Sequence, residues 1–63
     1  MEDLVGARFY FISDPMETFK VLKHDREKGT FVVWNEKENT AIETTSHEMH
    51  ENIRMEIIKF IKD

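Results

Sequence analysis

The chain predicts a small α+β domain, an antiparallel meander of four strands followed by a C-terminal helix in the order β-β-β-β-α. Short segments of alternating or β-branched apolar residues recur between residues 5 and 44, and glycine, proline and asparagine punctuate them. Residues 46–63 instead carry apolar side chains at helical spacing. At 63 residues the chain forms one domain, 1–63, and a domain this small buries only about 60% of the surface its unfolded chain exposes. There is no cysteine to supply a disulfide or a thiolate zinc site, so self-association is the usual remaining source of stability.

The first strand is expected over residues 5–12. Val5, Ala7, Phe9 and Phe11 share one face of it, and Gly6, Arg8, Tyr10 and Ile12 share the other, with Gly6 marking a bulge or a close backbone approach. Residues 13–17 break the strand. Asp14 and Glu17 can cap a short helical turn with Pro15 at its first position, and a plain turn satisfies the same residues. The second strand, 18–24, places Phe19 and Val21 opposite Lys20, Leu22 and His24; Asp25 to Gly29 then turns the chain into a hairpin. The third strand, 30–35, is the most strongly marked, because Phe31, Val32, Val33 and Trp34 are all β-formers and put apolar groups on both faces. Residues 36–39 form a turn in which Asn39 tolerates a left-handed conformation, and 40–44 form a short fourth strand.

The helix over 46–63 starts at a capping box, with Thr45 three residues before Glu48 and Ser46 as the alternative cap. At 100° per residue, Met49, Ile53, Ile57, Phe60 and Ile61 fall within about 120° of arc and form its core face. Met55 and Ile58 fall on the opposite side beside Glu51 and Lys62, where a solvated helix carries charge. Exposed paired apolar residues on a charged face mark a contact surface, so Met55, Ile58, Glu51 and Lys62 are the candidate protein interface.

The formal net charge of −4 argues against generic affinity for nucleic acid or anionic lipid. The charge is uneven, −1 over residues 1–30 and −3 over 31–63. Glu2 and Asp3 stand where a secretory leader needs basic charge, and no apolar run approaches the ~20 residues of a membrane span. A soluble cytoplasmic protein without membrane contact is expected.

Little in the chain points to catalysis. His47 and His50 stand three apart with Glu48 between them, but a zincin helix needs histidines four apart, and His24 lies in another element. No metal site and no cofactor is therefore expected. There is no cysteine nucleophile or glycine-rich phosphate loop, and the carboxylates show no arrangement that would separate two pKa values. The expected protein is not an enzyme. The aromatics offer more: Tyr10 and Trp34 lie opposite the phenylalanine faces of their strands, and either Trp34 fills a small barrel while Tyr10 covers an edge or, if the first and third strands are close, the two share a surface with Arg8, Lys20 and Lys23.

The strand order and the glycine and asparagine turns are similar to those of small SH3-like barrels, a fold class that includes Tudor-type and KOW-type modules. The resemblance implies a partly open barrel closed or covered by the helix. The chain carries no aspartate-tyrosine-glycine triplet and no basic glycine-rich loop, so no functional residue is transferred from those families. Two functions follow from the residues. The first is a non-enzymatic protein-interaction module, a small regulator or inhibitor that dimerises or occupies a partner surface through its C-terminal helix. The second is a nucleic-acid-binding domain using Tyr10, Trp34, Arg8, Lys20 and Lys23.

Overall fold

The computed structural model describes residues 4–62, which form β1 (Arg8–Phe11), β2 (Asp14–Asp25), β3 (Thr30–Asn35), β4 (Thr40–Thr45), α1 (Ser46–Arg54) and β5 (Ile58–Ile61). The strands make one open antiparallel sheet in the order β4-β3-β2-β1-β5, with α1 on one face. β4 and β5 are its edges, so the sheet is not closed into a barrel.

The main departure from the sequence expectation lies after the first turns of the helix. α1 starts as expected, with the Thr45 hydroxyl accepting from Glu48 N–H at 3.0 Å. It ends at Arg54, and the chain turns back into β5 against β1. Three bonds make the stop: Met55 N–H donates to Glu51 O, Glu56 N–H to Ile53 O and Ile57 N–H to Asn52 O. The last two form a Schellman motif, and Glu56 adopts the left-handed φ of +57° that this motif needs. Glycine usually fills that position, so a glutamate there gives no local sign of a helix end. Of the expected helical core face, Met49 is buried and Ile53 packs against the core, while Phe60 and Ile61 belong to β5 and Ile57 to the turn before it. Asp63, the last residue of the expected helix, lies outside the described residues.

Two smaller departures concern the first hairpin. Residues 4–7 form a turn held by Ala7 N–H on Leu4 O, and Gly6, at φ +93°, donates to Val21 O at 2.8 Å. A Cβ at Gly6 would meet open space, so the glycine marks neither a bulge nor a close approach but a turn that needs positive φ, and the paired strand starts only at Arg8. No helical turn forms at Asp14; a turn at Ile12 and Ser13 leads directly into β2. The register jumps from Tyr10↔Thr18 to Phe11↔Asp14, leaving Pro15, Met16 and Glu17 in a bulge where proline's missing N–H breaks no ladder bond.

Directly opposed residues of an antiparallel sheet share a face. On the helix side, Asn35, Phe19, Phe9 and Phe60 form one row, and Ile42, Val33 and Val21 form the next. Phe9, Phe19, Val21, Phe31, Val33, Met49 and Ile58 are the buried core. Side-chain carboxamide and carboxylate groups close the turns: Asn35 Oδ1 accepts from Lys37 and Glu38 N–H, and Asp25 Oδ1 accepts from Glu27 and Lys28 N–H.

Candidate functional site

The face of the sheet opposite α1 carries no layer of secondary structure among the described residues. One row across it reads Ala41, Trp34, Lys20, Arg8 and Ile61 from β4 to β5. A second contains Thr18, Tyr10 and Lys59. A register shift between Val21 and Lys23 brings Lys23 opposite Val32, which lies on this same face. All five residues of the expected ligand face, Arg8, Tyr10, Lys20, Lys23 and Trp34, therefore lie on one side of the sheet. Within the first row Lys20 stands between Trp34 and Arg8, as strand β2 lies between β3 and β1. With strands ~4.8 Å apart and a rise of ~3.4 Å per residue, Trp34 and Tyr10 stand roughly 12 Å apart.

The charges on this face are not equivalent. Arg8 donates through Nε and Nη2 to Glu36 Oε1, at 3.2 and 3.0 Å, and the Thr18 hydroxyl donates to the same oxygen at 2.6 Å. The Thr18 hydrogen bond first, and the Arg8 bond and charge after it, hold the Glu36 carboxyl below its usual pKa. Lys20, Lys23 and Lys59 make no ion pair among the described residues. Tyr10 and Trp34 are half-buried on the sheet and both lysines of β2 are exposed, so aromatic surface is flanked by solvated cations. Lys59 was not foreseen on this face because residue 59 belonged to the expected helix; the strand alternation of β5 puts it beside Tyr10.

The expected protein interface does not survive as one surface. Ile58, 5% exposed, sits opposite Phe11 in the core, whereas Met55, 58% exposed, caps α1. Glu51 binds Arg54 at 2.6 Å, one turn along the same helix, and Lys62 follows the end of β5. The helix stop separates residues that an uninterrupted helix would have aligned. Other apolar residues are exposed at that end of the sheet: Ile12 N–H donates to Ile57 O, and both residues are exposed, as are Met55 on the adjoining turn and Met16 in the bulge.

The histidines also take unexpected places. The His24 ring stacks on Phe31 with centroids 4.0 Å apart, and His50 meets the same ring edge-on at 6.5 Å, so the two flank a phenylalanine. Among the described residues no group of three or more His, Cys, Asp or Glu side chains is arranged to hold a metal ion, and no helix is long and apolar enough to cross a membrane. Between α1 and the sheet an open apolar cavity of about 310 Å³ is lined by Phe9, Phe11, Phe19, Val33, Ile42 and Met49, with Thr44, Glu48 and Asn52 as its polar lining. Comparison with known proteins finds no matching family model, curated protein or solved structure.

Proposed function

We propose that this chain is a non-enzymatic binding module whose working surface is the uncovered face of the sheet, and that its ligand is single-stranded nucleic acid. The observation that carries the proposal is the assembly of Tyr10, Trp34, Arg8, Lys20 and Lys23 on that one face, joined by Lys59. Bases stack on aromatic side chains irrespective of sequence, at about 1–3 kcal/mol per base, while lysines track the backbone phosphates. Two aromatic groups roughly 12 Å apart, with Lys20 between their strands, suit a splayed strand more than a compact ligand. The net charge of −4 opposes binding only weakly, since exposed charges beyond about 10 Å are screened at ordinary salt, and Glu36 is occupied by Arg8 and Thr18. The SH3-like resemblance adds no weight to this proposal.

Titration of Trp34 fluorescence with a short single-stranded oligonucleotide tests it. Neutralising the phosphates met by Lys20, Lys23 and Lys59 gives a log-log salt slope of about −2, or a roughly 15- to 20-fold loss of affinity between about 50 and 200 mM salt. Lys20→Glu should weaken binding further and flatten that slope. Saturable binding with no salt dependence, or none at all at low salt, would exclude the proposal.

A second function is favoured by the exposed apolar side chains of Ile12, Met16, Met55 and Ile57, of which Ile12 and Ile57 are joined by a backbone bond. It retains Met55 from the expected interface and replaces the buried Ile58 with Ile57. Docking of a protein regulator there would survive nuclease and 200 mM salt and be lost in Ile57→Glu.

A further inference from the structure

β4 is an edge strand with no partner on its outer side among the described residues. Natural edges are blunted by short length, lysine, proline or a bulge. The opposite edge, β5, is short and carries Lys59. β4 is longer, carries neither lysine nor proline and pairs with β3 over Thr40–Thr45 without a register shift, so its one guarding charge is Glu43. Ile42, 44% exposed, lies on its helix side and lines the cavity under α1.

The direction of each backbone group on this edge follows from its end. Ser46 N–H donates to Gly29 O at 2.8 Å, one step beyond the Thr30↔Thr45 pair. Bonded and non-bonded pairs alternate along an antiparallel ladder, so Thr40, Ile42 and Thr44 turn their N–H and C=O groups toward β3. Ala41, Glu43 and Thr45 turn theirs outward. Glu36 N–H donating to Thr18 O, on the other side of β3, gives the same phase.

We infer that a second copy of this chain pairs antiparallel along β4, about a twofold axis normal to the sheet at Ile42. That axis keeps helix-side residues opposite helix-side residues, so the register must centre on a residue and not between two. Centring on Glu43 opposes two carboxylates, and centring on Thr44 runs Ile42 against the start of α1. Centring on Ile42 sets Ile42 against its own copy and Thr40 against Thr44. It also makes Ala41 and Glu43, the outward-facing residues, a reciprocal pair that exchanges both N–H···O bonds. The central pair is the close, non-bonded kind with Cα atoms ~4.5 Å apart, so each Ile42 covers the other beside its cavity. The two sheets become one, with both helices on one side and both uncovered faces on the other. Nothing in this pairing depends on what those faces bind.

The absence of cysteine makes the register directly readable. In Ile42→Cys the two sulfurs face each other within disulfide range, whereas in Glu43→Cys the Cα atoms stand roughly 8 Å apart, beyond it. Under mild oxidation Ile42→Cys should crosslink to dimer at least about tenfold faster than Glu43→Cys. The unsubstituted chain should sediment as a concentration-dependent dimer, and Ile42→Lys as a folded monomer. Equal crosslinking at the two positions would overturn the inference. A monomer at all concentrations up to about 500 µM would also overturn it, leaving the edge open to a foreign strand. If Ile42→Lys fails to fold, the cysteine pair and the sedimentation of the parent chain still decide the matter.

Discussion

Glu56 holds φ +57° at the position that ends α1, where a β-carbon costs about 1–2 kcal/mol relative to the right-handed conformation. Glycine at this position removes that cost, offset by about 0.5–1 kcal/mol for the freer unfolded chain. Glu56→Gly should therefore stabilise the protein by about 0.5–1 kcal/mol, raising Tm by about 2–8 °C for a domain of this size. Glu56→Ala separates the backbone effect from loss of the charge, since it keeps the strained φ and should melt close to the parent. The sign is what matters. In an uninterrupted helix through residues 46–63, position 56 would be interior, and glycine there would lower stability by a comparable amount. Circular dichroism melts of the three proteins settle the choice, and a Glu56→Gly variant melting below the parent would refute the helix stop and with it the placement of β5.

Ile58 and Met55 separate core from surface. Ile58→Ala should cost about 2–5 kcal/mol, a large part of the roughly 3–9 kcal/mol available to 63 residues, and Ile58→Glu should unfold the chain. Met55→Glu should change urea stability by less than about 0.5 kcal/mol; a folded Ile58→Glu would remove Ile58 from the core. The Glu36 carboxyl, held below its ordinary pKa by Thr18 and Arg8, contributes stability that is present above the unfolded-state pKa and lost as pH falls through the lower folded-state value. Melts between about pH 5 and pH 3 should show that loss in the parent and less of it in Glu36→Gln; parallel curves would mean that the three-way contact does not stabilise the fold.

Much of the sheet was legible because its signals are local. The β3 run from Phe31 to Trp34, the turns at Gly29 and Asn39 and the Thr45 cap each act within a few residues, and each is where the residues point. The make-up of the uncovered face was legible in parity: Arg8, Tyr10, Lys20 and Trp34 alternate with core residues, and the β3-β2-β1 order brings them together. β5 was not legible, because residues 53, 57 and 61 satisfy a helical repeat while 58 and 60 satisfy a strand repeat, and the stop between them rests on a glutamate in a glycine conformation. Tertiary pairing with β1 decides between the two periods. The same ambiguity placed Ile58 on a surface and hid Lys59 from the face it joins. The bulge at Pro15 was hidden for a related reason, since a proline near a strand start reads equally as a helix start.

The chain has one tryptophan, so the indole N–H of Trp34 is a single, assignable resonance. The most direct test of the sheet face as the working surface is an amide correlation spectrum of the labelled protein with and without a single-stranded oligonucleotide at low salt. Shifts of the Trp34 indole and of the Arg8, Tyr10, Lys20, Lys23 and Lys59 amides, with Met55 and Ile57 unmoved, are expected. Shifts confined to Ile12, Met55 and Ile57, or a Trp34 indole that stays in place while other residues respond, would contradict the assignment of function to this face.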